Sequence, residues 1–140
     1  MEINIYTEFN TNLEKLWSEF EDNALLTPFQ SYVWLSHWQQ TVGAPLFSIR
    51  PQIVHVSANG QTVLIFPLGI RTSYGIKILE WLGGQQTDYM LPLLFSNNYY
   101  NKTNFDEIWH KTIKCLQNFD VLYIKNQMEY IKEVPNPFLL

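Results

Sequence analysis

Cysteine occurs only once in this 140-residue chain, as Cys115. No intramolecular disulfide can form, which excludes a small disulfide-stapled secreted scaffold and makes a reducing cytoplasm the expected setting. Basic residues are also scarce. Nine Lys and Arg against thirteen Asp and Glu give a net charge of -4, and no basic stripe gathers anywhere, so the electrostatic footprint of a nucleic-acid binder is missing. Long apolar runs are absent as well. The longest, VLIFPLGI at 63–70, contains a proline and is far shorter than the roughly 18 residues of a membrane span. The opening MEINIYTEF has neither a basic nor an apolar leader region, so no signal peptide is expected. His37, His55 and His110 stand on separate elements without Cys or carboxylates at ligand spacing, so no metal is expected. His110 and Cys115 are five apart on a helix, which does not place them face to face for nucleophile chemistry.

Aromatic and apolar residues fill the space left by these absences. The chain is 46% hydrophobic and 16% aromatic, with five Trp, a composition suited to one folded domain spanning 1–140. EINIY at 2–6 alternates and predicts a strand. Leu13, Leu16, Trp17 and Phe20 recur at spacings of three and four, predicting a helix over about 11–22. Ser31 is placed to cap a second helix whose face carries Trp34, Leu35, Trp38 and Val42, with Gly43 and Pro45 as its stop. From residue 46 the period becomes two. LFSIRPQIVHVS and QTVLIFPLGIR flank Asn59-Gly60, a two-residue hairpin signal, and IKILEWL at 76–82 adds a third strand after the SYG turn. Pro51 and Pro67 predict edges or bulges at their positions.

After a polar loop, SNNYYNKTN, Asn104 with Glu107 suggests a capped helix whose stripe is Phe105, Ile108, Trp109, Thr112, Ile113 and Leu116. DVLYIKN then reads as a short buried strand, and the two prolines of VPNPFLL rule out a regular tail. The expected fold is therefore α/β of the α+β kind, in the order β-α-α-β-β-β-α-β. The last strand should run parallel to its neighbour after a right-handed crossover.

The stretch EWLGGQQTDYMLPLLF at 80–95 carries the candidate site. Its glycines lack the lysine and spacing of a phosphate loop and the pattern of a dinucleotide loop. Asp88, set between Gly-Gly and an apolar run, must face solvent, cap backbone donors or meet a ligand. Tyr89 offers a hydroxyl or an aromatic plug. Trp34 and Trp38 share a helix face, either packed on the sheet or walling a groove.

The residues Phe29, Ser31, Trp34 and Leu35, followed by Gly84, Asp88, Tyr89, Pro92 and Leu93, carry a resemblance to the N-terminal half of the CelD/BcsL-type (cellulose biosynthesis) acetyltransferases of the GNAT superfamily. That resemblance covers about residues 8–130 and implies a GNAT-like fold. It further implies acyl transfer to an amine or hydroxyl, with acetyl-CoA held by a second half that this chain does not include. The chain would be a fragment, a truncated frame or a stand-alone relative, inactive alone. Asp88 and Tyr89, then Gln85, Gln86 and Trp34, would touch a small-molecule or polysaccharide-linked acceptor. In such enzymes glycines at the start of the third helix hold the CoA pyrophosphate. Here SNNYYNKTNFDE has no glycine and places acids at the helix start, so no cofactor is expected in this chain. The rival expectation is a non-catalytic module that forms a homodimer, or docks on a separate catalytic GNAT half, through its open sheet edge.

Overall fold

Thirteen residues, Gln61–Ser73, form the strand on which the rest of the chain is assembled. The computed structural model describes residues 1–95, 102–116 and 118–139. The N-terminal part comprises β1 (Glu2–Tyr6), α1 (Thr11–Glu21), β2 (Ala24–Leu25), α2 (Tyr32–Trp38) and α3 (Ala44–Phe47). A meander follows, with β3 (Arg50–Ala58), β4 (Gln61–Ser73) and β5 (Ile76–Trp81), then β6 (Leu93–Phe95). The last part contains α4 (Lys102–Cys115), β7 (Val121–Tyr123), β8 (Tyr130–Ile131) and β9 (Val134–Pro135). The main sheet runs β1-β3-β4-β5-β7, while β6 pairs with both β4 and β2, and β8 with β9 forms a separate hairpin. Neighbours are antiparallel except β5 and β7, which are parallel. The protein is thus mixed α/β with a mixed sheet, and the order predicted from the sequence gains four short strands.

β4 explains why its sequence is an unbroken apolar run. Leu64, Phe66, Leu68 and Ile70 join a core with Phe105 and Ile108 of α4, while Ile65 joins another with Leu13 and Trp17 of α1 and Leu35 and Trp38 of α2. A strand covered on both faces has no solvent side to make polar. Pro67 fits because β4 changes neighbours there: β6 pairs with Leu64 and Ile65, and β5 begins at Leu68. The Pro67 carbonyl still accepts from Leu82 N at 2.9 Å. Pro51 pairs with Gly69, beyond the last β1 contact at Ile53. Both prolines therefore sit where one flank has no strand, and the bulge lies elsewhere, between Val56 and Ser57. Asn59-Gly60 adopts φ of 52° and 76°, the paired positive angles that its tight turn requires.

Four expectations are corrected. Ser31 does cap α2, its hydroxyl accepting from Trp34 N at 3.2 Å, but Gly43 and Pro45 do not stop the helical path. A π-turn over Gln39–Gly43 leads into α3, and Pro45 takes its first turn, where a missing N–H is harmless. The chain leaves at Ser48, which is left-handed with φ 52°. In α4 the helix already includes Lys102, so Asn104 lies inside it, and Glu107 instead bonds Lys111 at 2.9 Å. The anticipated stripe is present, with Phe105, Ile108, Thr112 and Leu116 buried. β7 is exposed rather than buried, because among the described residues it pairs on one side only. Positions 96–101, most of the expected polar loop and half of the compared pyrophosphate segment, lie outside the described residues.

The tail is also more regular than its prolines suggested. Asn136, fully buried, donates to Met128 O at 2.8 Å and Gln127 Oε1 at 2.9 Å, and accepts from Phe138 N at 3.0 Å. This turn sends Phe138 into the α4 core, with its ring centroid 4.8 Å from Phe105 and 4.9 Å from Trp109. Phe138→Ala is expected to lower the unfolding free energy by about 2–3 kcal/mol, under the full aromatic-deletion cost because the ring is only partly buried. Urea denaturation measures this. A loss below about 0.5 kcal/mol would show that the tail is not part of the core.

Candidate functional site

Residues 29–38 and the loop after β5 hold each other. The loop begins with Gly83 at φ 114° and Gly84 at φ 54°, then makes a single 3-10 turn over Gly84–Gln86. A Cβ at Gly83 would strike Thr87 Oγ1, and one at Gly84 would lie 2.7 Å from Trp38 Cζ2, so both positions need glycine for conformation and for space. Thr87, 1% exposed, donates from its hydroxyl to Gly83 O at 3.0 Å and accepts from Trp34 Nε1 at 3.3 Å. Trp38 Nε1 donates to Gln86 Oε1 at 3.0 Å, and Gln30 Nε2 donates to Tyr89 O at 2.7 Å. Phe29 packs between Trp34 and Tyr89, with centroids 5.7 and 6.2 Å away. Asn126, three residues past β7, closes the far side by donating to Thr87 O at 3.3 Å and accepting from Met90 N at 3.0 Å.

Beside this loop lies a cleft of about 250 Å³, bordered by Trp38, Phe47, Arg71, Glu80, Gln85, Gln86 and Lys125. It sits beyond the carboxyl ends of the parallel pair β5 and β7, the usual ligand position in open α/β sheets. Inside it, Arg71 Nε meets Glu80 Oε1 at 2.9 Å and Arg71 Nη2 meets Glu80 Oε2 at 3.4 Å. The hydrogen bond to Glu80 raises the guanidinium pKa further, keeping Arg71 charged. Lys125, 5.7 Å from the Tyr123 ring centroid, adds a cation with no carboxylate partner among the described residues. The cleft thus offers an aromatic floor, two amides and one uncompensated positive charge.

Of the residues expected at a site, Gln85 and Gln86 line the cleft. Trp34 instead secures Thr87. Asp88 and Tyr89 are exposed on the same loop outside the cleft lining. The Asp88 carboxylate enters no hydrogen bond or ion pair among the described residues, so it caps no backbone. Sequence reasoning missed the Arg71–Glu80 pair. Its signal was the Tyr74-Gly75 turn: counting outward from Ser73 opposite Ile76 sets Arg71 opposite Ile78 and Glu80 opposite Gly69, a diagonal pair within reach of long side chains. Among the described residues no three His, Cys, Asp or Glu gather as a metal site, and no helix is long and apolar enough to cross a membrane. In comparisons with known proteins, the chain matches no family model, no curated protein and no solved structure.

Two outcomes follow from this geometry. Gly83→Ala is expected to cost about 2 kcal/mol or more through backbone strain and the clash with Thr87, whereas Gly60→Ala, with open space around it, meets only the strain. Chemical denaturation of both variants compares them directly. Separately, burial holds the His55 imidazole below its ordinary 6.5, against the smaller opposing pull of Glu2. Below 6.5 the unfolded chain then binds the proton more tightly than the folded one, so this histidine's contribution to stability falls as pH falls. His55→Leu is expected to flatten the loss of urea resistance between about pH 7 and about pH 5.

Proposed function

We propose that this chain is the acceptor-side half of a GNAT-like N- or O-acyltransferase, holding a small acceptor in the cleft beyond β5 and β7 without transferring an acyl group alone. The observation that carries this reading is the Arg71–Glu80 pair: among the described residues, the one carboxylate lining the cleft is engaged at both oxygens by a guanidinium. A carboxylate clamped by a guanidinium keeps spare lone pairs, but it is oriented toward its cation and not toward the proton a general base would remove. The cleft is therefore fitted for holding and orienting, with Gln85, Gln86 and Lys125 as polar contacts over Trp38. The order of α1, α2, meander, α4 and a parallel β7 also supports the GNAT-like comparison, and acetyl-CoA would be supplied on the other half. A cytoplasmic setting suits the single exposed thiol of Cys115.

Calorimetric titration of the chain with acetyl-CoA is expected to show no binding in the micromolar range, while a panel of hydroxy acids and zwitterionic amino acids, whose carboxylates suit the Lys125 cation, shifts the Trp38 indole N–H resonance. Micromolar acetyl-CoA binding, or acetyl transfer by the chain alone, would overturn the reading.

A second reading, an interaction module, is favoured by one specific feature. Val121, Leu122 and Tyr123 of β7 are 46, 39 and 49% exposed at an open sheet edge. Such an edge invites pairing with a second copy or with a separate GNAT half. Leu122→Lys is expected to abolish any concentration-dependent association seen by sedimentation, since an edge lysine opposes strand addition.

A further inference from the structure

The face of the sheet under α1 changes character abruptly along β3. Ile53 is part of the α1 and α2 core, but the next two residues on the same face are His55 and Ser57, 7% and 8% exposed. The opposite face of the same strand carries Val54 and Val56, both fully buried. Across from His55 on β1 stands Asn4, across from Ser57 stands Glu2, and Thr62 of β4 faces Ser57 from the other side. This polar floor belongs to an open groove of about 1000 Å³. Its wall is a lateral stripe of α1 and the turn after it, formed by Asn12, Lys15, Glu19 and Asn23, spacings that place them on one side of the helix.

Core stability does not account for these residues. His55 Nε2 is 2.8 Å from Thr62 Oγ1, but its Nδ1 is buried with no hydrogen-bond partner among the described residues. A buried orphan of this kind costs about 1–3 kcal/mol, and an aliphatic residue in its place would avoid that cost. A feature that lowers stability at a cavity wall is the signature of a site used for something else.

The groove chemistry selects among ligands. Its formal charges are Glu2 and Glu19 against Lys15, a net of -1 that disfavours phosphates and other anions. Apart from the His55 imidazole, its remaining polar side chains are amides and hydroxyls, each able to donate and accept. Tyr6, Phe20 and Phe95 border it with apolar surface. Its volume stands at the upper end of the roughly 300–1,000 Å³ range of small-ligand sites, room for more than one sugar-sized unit. We propose that this groove binds a neutral polyhydroxylated ligand, a short oligosaccharide, laid between α1 and the floor made by β1, β3 and β4. Asn4, Ser57 and Thr62 then serve its hydroxyls from below, with His55 Nε2 setting the orientation of the Thr62 hydroxyl, and Asn12 and Asn23 serve them from the side.

The test is a titration of the whole ¹⁵N-labelled chain with maltotriose, cellotriose and tri-N-acetylchitotriose, followed by NMR. At least one is expected to saturate with a Kd of about 1 mM or tighter, with shifts centred on the Asn4, Asn12 and Asn23 amides. Asn4→Ala, at an exposed position, and Thr62→Val should each weaken that binding about tenfold. His55→Leu should weaken it similarly while leaving the urea midpoint at neutral pH unchanged or higher. The proposal is overturned if none of the three sugars gives saturable shifts up to about 20 mM, if the shifts map to the cleft at Trp38 and Gln86, or if Asn4→Ala leaves the affinity intact. A lowered urea midpoint for His55→Leu would also overturn it, by making the histidine a packing residue.

Discussion

Three side-chain donors on one short segment, the Gln30 amide and the Trp34 and Trp38 indoles, hold the loop that leaves β5. The loop's own bonds are few, Thr87 Oγ1 to Gly83 O and Thr87 N to Gly84 O: it starts with two left-handed glycines, and Gln85, Gln86, Asp88 and Tyr89 are all exposed. Each hydrogen bond contributes about 1 kcal/mol net, but breaking one strands a buried partner at about 1–3 kcal/mol. Gln30 and Thr87, 2% and 1% exposed, are such partners. Gln30 is bound twice over, since its Oε1 also accepts from Thr27 N and Oγ1 at 2.8 and 2.7 Å to close the turn before α2. One amide thus fixes both the start of the helix and the position of the loop, and the two cannot move independently.

The cleft exists because of what happens on β4. Up to Pro67 that strand is paired on one flank by β6, and past it by β5. A proline at the change of partner removes an N–H where no strand waits for it, so the discontinuity carries no orphan donor. The Leu82 N–H to Pro67 O bond is the last rung before Gly83 turns the chain away. From there the chain passes over Trp38, and the space beneath it is bounded by Arg71 and Glu80, whose diagonal pairing depends on the Tyr74-Gly75 turn holding its register. The Asx-Gly turn at Asn59-Gly60 fixes the other end of the meander in the same way.

Elements with a single strong period were legible before the fold was known: β1, α1, the meander and the α4 stripe all lie where spacing places them. What stayed hidden depended on partners distant in sequence. β2 and β6 are two and three residues long and exist only through each other and β4. Pro45 reads as a stop, yet becomes the first turn of a new helix because the π-turn before it supplies a helical entry. Asp88 and Tyr89 drew notice as a charged and an aromatic residue beside glycines. Their neighbour Thr87, chemically plainer, is the residue that Trp34, Asn126 and Gly83 converge on. Exposure and partner count separate these roles, and neither is written in a local pattern. No local pattern sets His55 apart either, and only its burial and orphaned nitrogen distinguish it.

The cleft and the β7 edge are neighbours, and this bears on how the two functional readings relate. Lys125 lines the cleft two residues after the exposed end of β7, and Asn126 next to it ties Thr87 and Met90. A chain that added a strand to β7 would therefore come to rest against the open side of the cleft, beside its uncompensated cation. Burying Val121, Leu122 and Tyr123 in that way would remove apolar surface from water at about 25 cal/mol per Å², and any water a partner displaced from the cleft would leave the Arg71–Glu80 pair less screened. In a drier cleft an ion pair and a lone cation act more strongly on a bound group. On the proposed reading, docking at the edge and holding an acceptor would be one arrangement, with the partner that pairs with β7 lying next to Lys125 at the cleft.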